Sequence, residues 1–404
     1  MRVLILSATT GGGHMTAANA LKDYIMSQDK DAVVKIEDTI QCVSPFLNKA
    51  VTGGYVYMAK NTPKIYGSVY KSSDKEGSLN KTVEITTNIL MNKLYPLIRN
   101  FNPDIIITTH VFATEMTTSL KSKGLLDIPI ISIVTDFAVH KLYILAGVDA
   151  YIVSSREMVD DLVNHGIERT KVYPYGIPIK TSFYKTFDKK QCLSEEGLDP
   201  DLPTILIMAG SFGVTDILKI YHKMIKSPAD FQIIVITGKN EKLYETFEKY
   251  LNKISIRNTL IEIKEMTRPK PTDAAKLAKK KKPMKPTKLM YYTTEVEKYM
   301  NMADLIVTKP GGLTVSESIA VGLPMCLFKA IPGQEEQNAD FLVSKNMAVR
   351  IEKNSLCTAL ITSLINDKGR LESIRKSIRT FSKGNSAANI YLIMHELVEK
   401  YRNK

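Results

Sequence analysis

The chain has 404 residues, 44% hydrophobic and 24% charged, an ordinary globular composition that is too long for one core and suits two α/β domains. Cys42, Cys192, Cys326 and Cys357 stand far apart with no CxxC or Cys/His spacing, which excludes a zinc site or disulfide framework and reads as reduced thiols of a cytoplasmic protein. The net charge of +13 (55 basic, 42 acidic) is concentrated, since Arg268–Lys288 carries nine basic residues and one acidic, or +8.

The N-terminal "MRVLILSATT" enters a strand directly and shows no signal-peptide pattern. The longest apolar run, "IPIISIVTDFAV", is broken by Asp136 and falls short of the ~20 residues of a membrane span. Strand-like runs follow at Val3–Ser7, Val33–Glu37, Ile105–Thr109, Ile130–Val134 and Ala150–Val153, with helical spacing at Ala17–Met26 and Glu157–Val163. Near-continuous Ile/Val runs bounded by turns predict strands buried on both faces of a parallel sheet. Residues 1–178 form one such domain, and the Pro-containing stretch 179–200 reads as a linker. A second series occupies 201–384, with strands in "TILIMAG", "FQIIVITGKN", "DLIVTKPGG" and "PMCLF". The expected architecture is two doubly wound, Rossmann-like α/β domains facing across a cleft. A helical tail from Asn385 to Lys404 is expected to pack back on the first domain.

Between the first strand and helix lies "TTGGGH". Glycines at the carboxyl edge of such a sheet let the backbone approach a ligand, and a helix start favours negative charge there. A dinucleotide fingerprint fails because Thr16 stands where the third glycine should be, and no P-loop occurs. His14 directly follows the close-approach glycines Gly12 and Gly13. There it is either a solvent-facing first-turn residue or a neutral imidazole able to take a proton from a hydroxyl in the cleft. His110 and His140 read as satisfied structural histidines.

The strongest pattern is "ADLIVTKPGGLTVSESIAVGLPMCLFKAIPGQEEQNADF" (303–341). A strand runs into Pro310-Gly311-Gly312, and a helix from about Thr314 to Val321 puts backbone N–H groups toward a phosphate. Glu317 closes an S/T-x-x-E capping box with Thr314 or, alternatively, accepts the hydroxyls of a ribose. Gln334, Glu335 and Asn338 cluster at the end of the next strand, where amides and carboxylates suit a polyhydroxyl ligand.

With "GGGH", "VTDFAVHK" at 134–141, "YGIPI" at 175–179 and "MAGSFGV" at 208–214, the chain resembles the bacterial processive diacylglycerol glucosyltransferases and the plant monogalactosyldiacylglycerol synthases, and more distantly the enzyme that adds N-acetylglucosamine to lipid I. The motifs recur in order over nearly the whole chain. The resemblance implies a GT-B fold and inverting transfer of glucose or galactose from a UDP-sugar to diacylglycerol or glycosyldiacylglycerol, on the cytoplasmic face of an anionic membrane. It implies no cofactor and no essential metal, while a single lysine run with no recognised nucleic-acid module argues against nucleic acid. Carried over by position, His14 is the base with Asp136 beside it. Gly311, Gly312, Leu313 and Thr314 with Ser211 and Gly213 face the diphosphate, Glu317 holds the ribose and Tyr292 borders the uracil. Gln334, Glu335 and Asn338 contact the sugar. Gly12 and Gly13 adjoin the acceptor, and Tyr55, Tyr57 and Tyr66, within a Tyr/Lys-rich segment, suit the headgroup level of a bilayer. The basic insertion, 267–289, departs from the relatives and is either a solvated loop or an added attraction to anionic lipid. The competing readings are a UDP-N-acetylglucosamine-dependent transferase to a lipid-linked peptidoglycan precursor and a non-catalytic UDP-sugar sensor.

Overall fold

The computed structural model describes residues 1–9, 12–43, 91, 93–208, 216–267, 284–328, 332–353 and 356–404. Two parallel six-stranded sheets, each flanked by helices, carry the described chain. The first holds β1 (Arg2–Ser7), β2 (Val33–Asp38), β3 (Ile105–Thr108), β4 (Ile130–Ile133), β5 (Ala150–Ile152) and β6 (Val172–Tyr173), in the order β2-β1-β3-β4-β5-β6. The second holds β7 (Thr204–Met208), β8 (Gln232–Ile236), β9 (Thr287–Met290), β10 (Leu305–Thr308), β11 (Met325–Phe328) and β12 (Ala348–Ile351), in the order β12-β11-β10-β7-β8-β9. The edge strands β6, β9 and β12 are short, and Lys288 and Arg350 interrupt the latter two, so no hydrophobic run announces them.

Strand β1 shows why these runs are strands. Its side chains alternate between faces. Val3 and Ile5 enter one core with α1 (Gly13–Gln28), while Leu4 and Leu6 enter another with α2 (Val111–Ser122) and the helical residues 93–101. Apolar residues at every position are therefore all buried, each worth roughly 1.5–3 kcal/mol. In the second domain the 27-residue α3 (Glu241–Thr267) follows β8.

The stretch 179–200 is ordered rather than loose. It forms a turn at Thr181–Tyr184 and a helix at Lys189–Glu195, with Phe183, Cys192 and Leu193 buried in the second core. Helices α4 (Gly312–Val321), α5 (Gln334–Ser344) and α6 (Lys368–Phe381) complete that domain. Helix α7 (Ser386–Arg402) then crosses back to the first sheet. There Ala387, Ile390, Ile393, Met394 and Val398 fill the face that holds Val3 and Ile5. Tyr401 Oη donates to Asp149 at 2.7 Å, and Arg402 bonds Asp104 at 3.0 Å.

In each sheet the chain reverses its direction of addition beside the first strand, between β1 and β3 and between β7 and β10. Loops diverge at these points and leave crevices at the carboxyl edge. The two crevices face each other, and both glycine stretches lie in them.

Candidate active site

Helix α1 begins at Gly13 with Gly12 as its cap, in the left-handed region at φ 76° that favours glycine. This start sets His14 in the first turn, partly buried beside the end of β3. His14 Nδ1 lies 2.6 Å from the Thr109 carbonyl oxygen and 2.9 Å from Thr135 Oγ1. A carbonyl oxygen only accepts, so the ring proton sits on Nδ1 and the Nε2 lone pair is left for another partner. Burial lowers the His14 pKa, and the bond to Thr109 opposes this only in part, which keeps the imidazole neutral at pH 7.

His110 packs edge-on against His14 with ring centroids 4.7 Å apart. Its Nδ1 accepts the Phe112 N–H at 3.3 Å as the cap of α2, and burial together with His14 holds it uncharged. His140 likewise caps a short turn, accepting from Leu142 N at 3.2 Å.

Across the crevice, α4 starts two residues earlier than its sequence suggests, at Gly312, with extended Gly311 as the cap and no side-chain cap bond to its first N–H groups. Thr314 is thus inside the helix and does not form the capping box with Glu317. Its hydroxyl-bearing neighbours bond backward instead, Ser316 Oγ to Gly312 O at 2.9 Å and Ser318 Oγ to Thr314 O at 2.8 Å. The N–H groups of Gly312, Leu313 and Thr314 are consequently available to an anion. Glu317 is 9% exposed. Burial, with Glu297 adding to it and Lys180 opposing, lifts its pKa to about 8.

The domains meet at this helix start. A Cβ on Gly312 would come within 2.1 Å of the Thr135 carbonyl oxygen, so only glycine permits the approach, and Gly13 faces Leu313. Asn338, fully buried, lies in the same seam. Its Oδ1 accepts Phe137 N–H at 2.8 Å, and its Nδ2 donates to Asp136 Oδ1 and to Pro310 O, both at 3.0 Å. Its amide is thereby committed across the domain boundary. Burial raises the Asp136 pKa to about 7, with Glu335 adding to the rise and the Asn338 bond countering it. Glu335 pairs with Lys309 at 2.8 Å. Asp136 therefore belongs to the seam, and its recorded side-chain bond goes to Asn338 rather than to His14. Tyr292, just beyond the edge strand β9, is half exposed, with Lys239 Nζ 5.0 Å from its ring centroid. Gln334 opens α5, partly exposed. Ser211, Gly213, Tyr55, Tyr57 and Tyr66 lie outside the described residues. Thr109, Thr135 and Lys309 were not singled out from sequence, although Thr135 and Lys309 stand inside the quoted motifs "VTDFAVHK" and "TKPGG".

Two facing doubly wound domains define a GT-B fold, with an oriented neutral imidazole on one domain and an open helix start on the other. Among solved structures, MurG of Acinetobacter baumannii superposes with a TM-score of 0.61 at 12% identity over 98% of this chain and 99% of that one. The UDP-GlcNAc 2-epimerase of Neisseria meningitidis gives 0.57 at 14% over 98% and 100%. At such identities the likeness is one of fold. Residues 14–179 match the monogalactosyldiacylglycerol (MGDG) synthase family, and residues 204–388 match the glycosyltransferase family 28 C-terminal domain. The processive diacylglycerol beta-glucosyltransferase of Bacillus pumilus is 28% identical over 99% of this chain and 95% of its own length. That of Staphylococcus epidermidis is 26% identical over 98% and 93%. The two family matches divide most of the chain between them, the first half resembling the monogalactosyldiacylglycerol synthases, and the chain is a UDP-sugar-dependent glycosyltransferase.

Proposed function

We propose that the protein transfers glucose from UDP-glucose to diacylglycerol at a membrane surface, inverting the anomeric centre to β, and that it extends its own product. The relatives' printed activity and their near-complete overlap with this chain support the choice of donor and acceptor. The observation that carries the chemistry is His14, an imidazole with its proton fixed on Nδ1 and its Nε2 lone pair available, across from the open start of α4.

In this scheme the diphosphate rests on the N–H groups of Gly312–Thr314. The helix dipole stabilises the negative charge that grows as the bond between the anomeric carbon and the phosphate oxygen breaks. Glu317 accepts the ribose hydroxyls, Tyr292 with Lys239 borders the uracil, and Gln334 and Glu335 hold the sugar. The acceptor hydroxyl attacks the anomeric carbon from the opposite face and gives its proton to His14 Nε2. UDP departs with the bonding pair. Contact with the bilayer is assigned to the aromatic and lysine-rich segment 44–71 and to the basic insertion, whose residues 268–283 lie, like 44–71, outside the described residues.

The test is transfer from radiolabelled UDP-glucose, UDP-galactose and UDP-N-acetylglucosamine, each offered separately with diacylglycerol in mixed micelles containing EDTA. Labelled glycolipid from UDP-glucose, lengthening with time, is the expected result. No lipid product from any donor, in protein that still binds UDP, overturns the reading.

A further inference from the structure

The three residues that follow β4 and Val134 run between the two halves of the site, and each makes a contact in a different direction. Thr135 Oγ1 lies 2.9 Å from His14 Nδ1, and the residue is buried. The Thr135 carbonyl oxygen lies where a Cβ of Gly312 would fall, 2.1 Å from it. Asp136 Oδ1 accepts from Asn338 Nδ2, and Phe137 N donates to Asn338 Oδ1. One short segment thus touches the imidazole on one side and the starts of α4 and α5 on the other.

We propose that Thr135 is a positioning residue for the transfer reaction: its hydroxyl fixes the ring plane of His14 while its carbonyl seats the donor-side helix. The imidazole is then aligned when the second domain is docked. The proposal rests on the transferase reading of His14. A single acceptor at Thr109 leaves the ring free to pivot about that bond, whereas a second acceptor on a different loop removes the freedom. Tyr143, buried behind Thr135, bonds its hydroxyl and keeps it in place. Among the described residues, the groups facing His14 are few. The β3–α2 loop presents the Thr109 carbonyl and the uncharged His110, the β4 loop presents Thr135, and α4 presents Leu313 opposite Gly13. Asp136 turns its carboxyl to Asn338 instead.

The variants are Thr135→Val, which keeps the shape and loses the hydroxyl, and Thr135→Ser, which restores it. Thr135→Val is expected to lower kcat about 10- to 100-fold through misalignment of the base. The KM for UDP-glucose and the affinity for UDP should stay within about twofold, because the donor contacts are untouched. The imidazolium also loses an acceptor for its Nδ1–H, so the acid limb of the kcat profile moves to lower pH. Thr135→Ser returns both. Titration of the His14 ring protons by NMR, without substrate, reports the same shift independently of turnover. An unchanged titration with wild-type kcat overturns the proposal. So does a parallel loss of UDP affinity that serine does not rescue, which marks a purely structural role. A shifted titration in a protein whose wild type transfers to no acceptor supports the positioning geometry and removes the transferase reading instead.

Discussion

At the scale of single residues, His14 and Glu317 make opposite demands on protons. Burial lowers the His14 pKa from 6.5, so the imidazole is neutral at pH 7 and above, as the proposed base must be. Activity should fall only as pH drops through that lowered value, giving an acid limb below pH 6.5 in kcat. His14→Ala should lose about 10²- to 10⁴-fold in transfer, the usual worth of general base catalysis, with UDP affinity kept. Full activity in that variant, measured by the glycolipid assay, removes His14 from the mechanism. Glu317 is shifted the other way, to about 8, so without nucleotide it is protonated at pH 7. Accepting ribose hydroxyls favours the ionised form, and UDP binding should therefore release a proton near neutrality and tighten as pH rises toward 8. Calorimetry in buffers of different ionisation enthalpy measures this release. In the absence of nucleotide the folded state keeps a proton on Glu317 that the unfolded chain has lost, so this residue should make stability decline between about pH 4.5 and 8, and Glu317→Gln should remove its share of the slope, leaving that of Asp136. Glu317→Ala should weaken UDP about 10- to 100-fold, as expected for losing charged hydrogen bonds.

At the scale of elements, the site depends on two helix starts made close by glycine. Gly312→Ala puts a Cβ 2.1 Å from the Thr135 carbonyl oxygen, and backbone on both sides leaves no flexible group to yield. The domains must part, so transfer should fall by at least ~100-fold while the isolated helix start still binds UDP. UDP affinity lost in step with transfer would show that α4 itself had been disrupted. The sequence motif placed this helix correctly but misjudged its first residue. A Thr three before a Glu satisfies the capping pattern, yet Pro310 fixes the backbone just upstream and Gly311 takes the cap, so the carboxylate has no cap to serve. In the other glycine stretch the imidazole was legible. Its partners were not, since Thr109 acts through a carbonyl that every residue possesses.

At the scale of the molecule, a net charge of +13 with +8 of it in one insertion favours an anionic surface. Sedimentation with vesicles should show binding that strengthens with anionic lipid content and weakens between low and high salt, at about 1 kcal/mol for each charge that reaches the surface. Binding indifferent to both would contradict this role of the insertion. Among the described residues no helix is long and apolar enough to cross a membrane.

The sequence by itself determined the alternation of strands and helices, because Ile/Val runs buried on both faces and glycine at helix starts are local chemistry. It also determined which glycine-bearing loops stand at the carboxyl edges of the sheets, since these follow the strand ends wherever the sheet is doubly wound. What only the tertiary structure decided is which of those residues meet. Asn338, read as a sugar contact, spends its amide on Asp136, Phe137 and Pro310 of the domain seam. Thr135, unremarkable in a strand-end motif, reaches an imidazole 121 positions away in the chain. Such pairings depend on how two separate sheets dock, and docking is set by shape at Gly312 and by complementary hydrogen bonds that have no period in the sequence.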